Sequence, residues 1–414
     1  MTQIQRRPAA APAKERGKPP RVLAYGPLPP PYGGQAISFA LLTEGLRAGG
    51  QWRVDVVNVA VPDWQPGQFT ARRVLATLGI IARTVARLPR ADLFYLTIGQ
   101  SPAAFLRDAL LVWTAWLLGK PVVARVDGGA FHELYQGRGR WLRLAVRATV
   151  RRITRLQALS DVLKQRFLAI PGLEGRIEVV PDGAETPADV SPKQLQANGP
   201  VRLLYLSNLT FDKGYPELLT AAGLLRQHLS DKDVRLEFAG DFLVDPAFFA
   251  SVEDAKADFW LRVKEGGLDE RVQYHGVVTG QAKDQLLRDC HLFVLPTYYR
   301  YEGTPRSIRE ALSYGMPVIA TQWSGIPDMI THGENGLLVP PRDPEALADA
   351  IAGAVTDPER YARLSRGARE RFQRDFTLEA FVARMEESFQ AALRVKHLHG
   401  RASRSDAHHP EEGR

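Results

Sequence analysis

The 414-residue chain has one cysteine, Cys290. A single thiol can close no internal bridge, so a disulfide-stapled scaffold is excluded and a reducing, cytoplasmic setting is expected. Cys290 sits in "LLRDCHLFVLP", just before an apolar strand, where a small buried core residue is expected. Long apolar runs are also missing. The most apolar stretch, "ALLVWTAWLLG" over 109–119, lies between Asp108 and Lys120 and is too short to span a bilayer, so it reads as a buried helix. The N-terminal "MTQIQRRPAAAPAKERGKPP" lacks the apolar segment of a secretory signal and reads as a disordered lead-in. The dinucleotide fingerprint G-x-G-x-x-G is absent, as is any short-period repeat. Acids are scarce in the first half. Residues 1–195 hold 27 Lys and Arg against 14 Asp and Glu, whereas the remainder holds 27 against 32. The N-terminal half is therefore the part expected to meet an anionic surface or ligand.

What is present is α/β patterning, twice. "RVLAYG" opens a series of short apolar strands alternating with helical stretches, through "WRVDVVNVAV", "ADLFYLTIG", "KPVVARVDGG" and "RIEVVPDG". Polarity rises over 185–200, and the pattern restarts at "VRLLYLSN", continuing through "VRLEFAGD", "VQYHGVV", "HLFVLPT", "PVIATQ" and "GLLVPP". Alternation of this kind implies βαβ units and parallel sheets. The expected organisation is a lead-in over 1–19, a Rossmann-like domain over 20–190 and a linker over 191–200. A second Rossmann-like domain follows over 201–376, then a terminal helix over 377–396 packing back on the first domain, and a disordered tail over 397–414. Strand C-termini of both domains would face one cleft.

The most informative stretch is "YEGTPRSIRE", 301–310, with Glu302 and Glu310 on either side of Gly303, Thr304 and Pro305. Thr304 is a natural N-cap and Pro305 a natural first helical residue, with the helix running to about Tyr314 before Gly315 and Pro317. Free N–H groups at the helix start favour an anion. Gly303 permits close approach, and Glu310, one turn deeper, can accept hydrogen bonds from vicinal hydroxyls. The pattern suits a phosphorylated ligand carrying a ribose.

Together with "SYGMPVIAT", "SGIPDMI" and "ENGLLV", which follow in that order, the glutamate pair resembles the signature of the large retaining GT-B glycosyltransferase family. That family includes glycogen synthase, sucrose synthase and the phosphatidylinositol mannosyltransferases. The resemblance implies a GT-B fold of two Rossmann-like domains facing across a cleft. It implies that Glu310 binds the ribose of a nucleotide sugar and that Glu302, with the amides of Gly303, Thr304 and Pro305, holds the donor sugar. Arg306 and Ser307 would meet the diphosphate. In "LSNLTFDKG", Lys213 would stabilise the leaving diphosphate, beside Ser207 and Asn208; Asn208 stands where the family often carries arginine. Gly33 and Gly34 of "PPPYGGQA" would lie against the donor diphosphate or acceptor. In "RVDGGAFHELY", His132 matches a histidine near the donor sugar and Asp127 could orient the acceptor hydroxyl. Gly240, Asp241, Gly276 and Val278 are candidates for the base pocket.

The resemblance implies no cofactor beyond the nucleotide-diphosphate sugar and no bound metal; the "DKD" at Asp231–Asp233 reads as a turn. The acceptor would be a saccharide or polyprenyl-linked saccharide, in bacterial polysaccharide or glycolipid assembly. A nucleotide-sugar-binding protein without transfer and a sugar-nucleotide epimerase are the alternatives. The basic stretch 138–155 reads as an amphipathic helix with seven arginines around Trp141, which suits an anionic membrane surface. Peripheral attachment at the inner face of the cytoplasmic membrane is therefore expected. Nucleic acid is not, since no reader fold is visible.

Overall fold

The computed structural model describes residues 18–30, 32–60, 71–137, 139–196, 199–229, 232–244 and 248–405. The expected lead-in up to residue 17, Asp231 of the "DKD" turn, Arg138 and the tail from 406 lie outside the described residues. Among the described residues the strands are β1 (Arg21–Gly26), β2 (Arg53–Asn58), β3 (Leu93–Thr97), β4 (Val122–Arg125), β5 (Arg155–Ala158), β6 (Ile177–Val179), β7 (Val201–Leu206), β8 (Val234–Ala239), β9 (Val272–Tyr274), β10 (Leu292–Leu295), β11 (Val318–Thr321) and β12 (Gly336–Val339). The helices of the first half are α1 (Gly34–Ala48), α2 (Ala71–Arg87), α3 (Pro102–Leu117), α4 (Glu133–Gln136), α5 (Arg140–Val150) and α6 (Asp161–Phe167). Those of the second are α7 (Tyr215–His228), α8 (Val252–Glu265), α9 (Gly280–Asp289), α10 (Arg306–Ser313), α11 (Pro344–Val355), α12 (Pro358–Asp375) and α13 (Leu378–Ser405).

The strands form two six-stranded sheets, in the orders β2-β1-β3-β4-β5-β6 and β12-β11-β10-β7-β8-β9. Every pairing between these strands is parallel. A parallel sheet is covered on both faces, so its strands are apolar throughout and alternate residues feed two cores. In the first sheet Val22, Ala24, Tyr95 and Val123 point to one side, where α1 and α13 supply Phe39, Met385 and Phe389. Leu23, Tyr25, Phe94 and Val122 point to the other, against α2, α3, α5 and α6. Phe39 stacks on Tyr95 at 6.1 Å between ring centres, and Phe389 meets Tyr95 at 5.4 Å and Trp52 at 5.5 Å. The last helix thus belongs to the core of the first domain, although it follows the second in sequence.

In the second sheet β7 lies between β10 and β8. Strand order reverses there, because the chain builds outward from β7 on one side and then restarts at β10 on the other. From β7 the chain passes on to β8 and from β10 to β11, in opposite directions across the sheet, and a crevice is expected at the C-terminal ends of strands at such a reversal. The β7 loop carries Lys213 and the β10 loop carries Glu302.

Three local expectations change. α10 begins at Arg306 with Pro305 at the cap position and ends at Ser313. Thr304 is not the cap, because its hydroxyl accepts from Arg309 Nη1 at 3.0 Å. The basic stretch 138–155 is not one helix. α5 stops at Val150, and Arg155 starts β5, paired in register with Val123 and bridged to Glu178 on β6 at 2.7 Å; sheet pairing overrides the helical pattern. The last helix continues beyond residue 396, to Ser405.

Candidate active site

Lys213 ends a short 3-10 turn, Phe211–Lys213. Gly214 follows with φ +83°, and a Cβ there would lie 2.2 Å from the Pro296 carbonyl oxygen. Only glycine lets the turn close this tightly on the end of β10. Lys213 Nζ donates to Glu302 Oε2 at 2.6 Å and lies 4.5 Å from the centre of the Tyr299 ring. The Thr297 hydroxyl donates to the same carboxylate oxygen at 3.2 Å. Glu302 is 7% exposed, so its charge is held by these two partners rather than by water.

Glu310, on α10, accepts from Arg306 Nε and from Lys283 Nζ, both at 2.9 Å. Burial pushes its carboxyl upward, but Arg306 and Lys283 outweigh burial and bring it below the ordinary value, so it is anionic at neutral pH. Arg306 Nη1 is buried with no hydrogen-bond partner among the described residues. It is a guanidinium donor available to an incoming anion. Gly34 stands next to it, since a Cβ at Gly34 would lie 3.8 Å from Arg306 Cβ. Gly33 caps α1 and Pro305 caps α10, so the N-terminal ends of two helices converge near this arginine. Ser307 and Thr304 are half-buried in the same turn.

The first domain closes over the β10 loop. The Gly129 amide donates to the Tyr301 carbonyl at 3.4 Å. A Cβ on Gly129 would lie 2.4 Å from the Glu302 carbonyl oxygen, and one on Gly303 would lie 2.7 Å from that of Asp127. Glycines on both sides permit this backbone contact. Arg300 and Glu133 pair across the same junction, and Asp328 Oδ2 accepts from the Val162 amide of α6 at 2.7 Å. His132 precedes α4 and is half-buried. Burial lowers its imidazole and Arg166 acts in the same direction, while Glu133 and the Gly129 backbone oppose them. The ring is neutral at pH 7, and its buried Nδ1 makes no hydrogen bond of good geometry to the described residues. It suits a hydroxyl rather than an anion.

Asp127 occupies a different setting from an open acceptor site. It accepts from Arg125 Nε at 2.9 Å within a buried network. Asp182 accepts from Arg125 Nη2 at 2.6 Å and from Arg309 Nη2 of α10 at 3.2 Å. Burial raises the Asp127 carboxyl, Arg125 opposes and Asp182 adds to the rise. The network ties β4 and the β6 end of the first domain to α10 of the second.

Gly240, at the end of β8 with φ +147°, packs its Cα on the Ser207 carbonyl; a Cβ would lie 1.9 Å away. Its amide donates to the Gly276 carbonyl at 2.8 Å. Ser207, Gly240 and Gly276 therefore form one corner at the strand ends, with Val278 half-buried beyond it. Asn208 is exposed, and its carbonyl accepts from the Tyr205 hydroxyl at 3.2 Å. Lys283, on α9, was not among the expected site residues. A lone lysine in "GQAKDQLLRD" carries no motif signal; only the fold brings it to Glu310.

Comparison with known proteins agrees with this geometry. Residues 188–371 match the family described as "Glycosyl transferases group 1". The chain is 25% identical over 259 residues to glycogen synthase of Mycobacterium tuberculosis, covering 61% of this chain and 56% of that protein. It is 28% identical over 198 residues to the amylovoran biosynthesis glycosyltransferase AmsK of Erwinia amylovora, covering 47% of this chain and 45% of that one. Across such relatives the match spans 33–56% of their length. The crystal structure of Anabaena HepE in complex with UDP and glucose superimposes with a TM-score of 0.66 at 19% identity, covering 89% of this chain and 99% of that one. The sucrose-phosphate synthase of Thermosynechococcus elongatus gives 0.66 at 20%, covering 91% and 100%. The fold is that of the GT-B glycosyltransferases.

Proposed function

We propose, from the premise that this chain carries a glycosyl transferases group 1 domain on a GT-B fold, that it transfers a sugar from a nucleotide-diphosphate sugar to a saccharide or lipid-linked saccharide with retention of configuration. The observation that carries this reading is the pair of largely buried carboxylates beside the β7/β10 crevice, each held by cations: Glu302 by Lys213, and Glu310 by Arg306 and Lys283. The neighbouring AmsK is named for amylovoran biosynthesis, and HepE was crystallised with UDP and glucose. Those names support a role in bacterial polysaccharide assembly and a nucleotide-sugar donor.

In this mechanism the Glu310 carboxylate accepts hydrogen bonds from the two ribose hydroxyls. The diphosphate lies between the α10 amides, Arg306 Nη1 and Lys213. The sugar lies toward Glu302, with neutral His132 hydrogen-bonded to one of its hydroxyls. The bond from C1 to the β-phosphate oxygen breaks while the acceptor oxygen bonds to C1 on the same face. The acceptor proton passes to the departing phosphate. The protein contributes positioning and charge stabilisation, with no covalent intermediate. Asp127 acts through the buried network, orienting the 127–132 loop that carries His132. No metal is required. The protein works at the inner membrane face, where a lipid-linked acceptor is presented.

The test is calorimetry and thermal shift with UDP, GDP and ADP and their sugar conjugates. One nucleotide series should bind, and Glu310→Ala should weaken it about 100-fold or more, since each of the two hydrogen bonds to this charged acceptor contributes about 1.5–3 kcal/mol. Unchanged binding in the variant would remove Glu310 from the ribose site. Transfer should persist in EDTA at undiminished kcat; its loss, restored by a divalent cation, would overturn the metal-free mechanism.

A further inference from the structure

The first domain has one layer whose outer side the catalytic reading does not use. α2, α3 and α5 cover the sheet face opposite α1 and α13, and α3 touches both of its neighbours. Their inner residues, among them Ile80, Phe105, Leu111 and Val146, are core. Their outer residues are not the polar set of a solvated helix layer. Leu75 on α2 is 68% exposed, Leu117 on α3 72% and Trp141 on α5 73%. Leu78, Leu110 and Leu144 are exposed beside them. On α3, Leu106, Leu110 and Leu117 recur at helical spacing and make one outward stripe. Arg152 lies 3.4 Å from the centre of the Trp113 ring, fixing the end of α5 to α3.

The charge of this layer has one sign. Neither α2 nor α5 contains an acid, and the one acid of α3, Asp108, is fully buried against Arg107 at 2.7 Å. Arg83, Arg87, Arg143 and Arg147 are exposed among the apolar side chains. Among the described residues no helix is long and apolar enough to cross a membrane. An apolar face ringed by arginines fits a surface that offers anions above and hydrocarbon below. A second copy of the same face fits poorly, because it would set arginine against arginine with no carboxylate between them.

We propose that the outer side of α2, α3 and α5 is a membrane-docking face that seats Leu75, Leu110, Leu117 and Trp141 in the interface of a bilayer containing anionic lipid. The inference deepens the membrane contact proposed above by assigning it to one face, and rests on that reading for its purpose but not for its geometry. Docking through this layer leaves α1 and α13, on the opposite face of the sheet, free of the bilayer.

The experiment is flotation of the full chain with vesicles of phosphatidylglycerol and phosphatidylcholine, against phosphatidylcholine alone, at low and high salt. Wild type should float with the anionic vesicles and be released by salt. Arg143→Ala/Arg147→Ala should bind about 30-fold more weakly, the equivalent of ~1 kcal/mol per arginine near an anionic surface. Leu110→Glu/Trp141→Glu should stay unbound while keeping its melting temperature and its nucleotide-induced shift. Equal binding to neutral vesicles, no binding at all, or full binding by the glutamate variant would overturn the proposal. A concentration-dependent dimer dispersed by those glutamates would reassign the face to self-association and overturn it too. Loss of every nucleotide shift with vesicle binding intact would sink the transferase reading and leave the docking face standing.

Discussion

Lys213→Met is expected to lower kcat by about 10²- to 10³-fold with a much smaller change in KM, the loss typical of removing one preorganised charge-stabilising group. The asymmetry follows from when the charge is needed. A diphosphate linked to a sugar gains negative charge as the C1–O bond breaks, so a fixed cation beside it contributes more at the transition state than in the ground state. Gly214 packs on Pro296 and fixes the lysine turn, and Nζ lies 2.6 Å from Glu302. That pairing creates a second effect to separate. Glu302 is buried, and without Lys213 its carboxylate keeps one hydrogen bond among the described residues, from Thr297. The single variant should therefore also melt earlier. Lys213→Met/Glu302→Gln removes both charges and should recover the melting temperature without recovering kcat. Steady-state kinetics and melting of both variants decide the matter. A double variant with near wild-type turnover would reduce Lys213 to a structural counter-ion.

The parts of the site that could be read from the chain are those built at single strand–helix junctions. Glu302, Gly303, Arg306 and Glu310 occupy one loop and one helix start, and Lys213 lies one turn beyond a strand, so short spacing rules apply to them. The resemblance they carry extends to the second domain, where the family match falls. What could not be read depends on pairings across the fold. Lys283 reaches Glu310 only because α9 and α10 are brought side by side. Asp182 meets Arg125 and Arg309 from 57 and 127 residues away. One signal existed: an arginine inside the apolar strand "PVVARV" must either reach water or find a buried acid. The same limit explains α5, where the arginine pattern continues past Val150 but sheet pairing claims Arg155. Of the proposed docking face, the arginines and Trp141 were legible in the sequence. That Leu75, Leu117 and Trp141 share one side of a helical layer needs the sheet that orders the helices.

Asp182→Ala should be the most destabilising single change in the chain's polar core, by about 3 kcal/mol, the lower end of the range for breaking a buried ion pair. Two guanidinium groups lose a carboxylate at once, and Arg309 is only 2% exposed. The lower end applies because both retain partners. Arg125 keeps Asp127 at 2.9 Å and the Val180 carbonyl at 3.0 Å, and Arg309 keeps the Thr304 carbonyl and hydroxyl, each at 3.0 Å. Asp182→Asn preserves size and an acceptor, and should lose less. The pH dependence identifies the cause. Burial raises the Asp182 carboxyl, but Arg125, Arg309 and Arg306 together bring it below its ordinary value of 3.8. Its stabilisation is therefore complete above pH 3.8 and fades as pH falls through the lower, folded-state value. Asp127 has the opposite sign: its raised carboxyl takes up a proton in the folded state first, which favours the fold as pH falls from neutrality. Urea unfolding of wild type and Asp182→Ala from pH 7 downward should thus show a gap that does not narrow above pH 3.8 and closes only in strong acid. A gap that stayed constant with pH would mean that the alanine variant loses packing rather than charge pairing, and the interdomain network would then not be what holds α10 to the first domain.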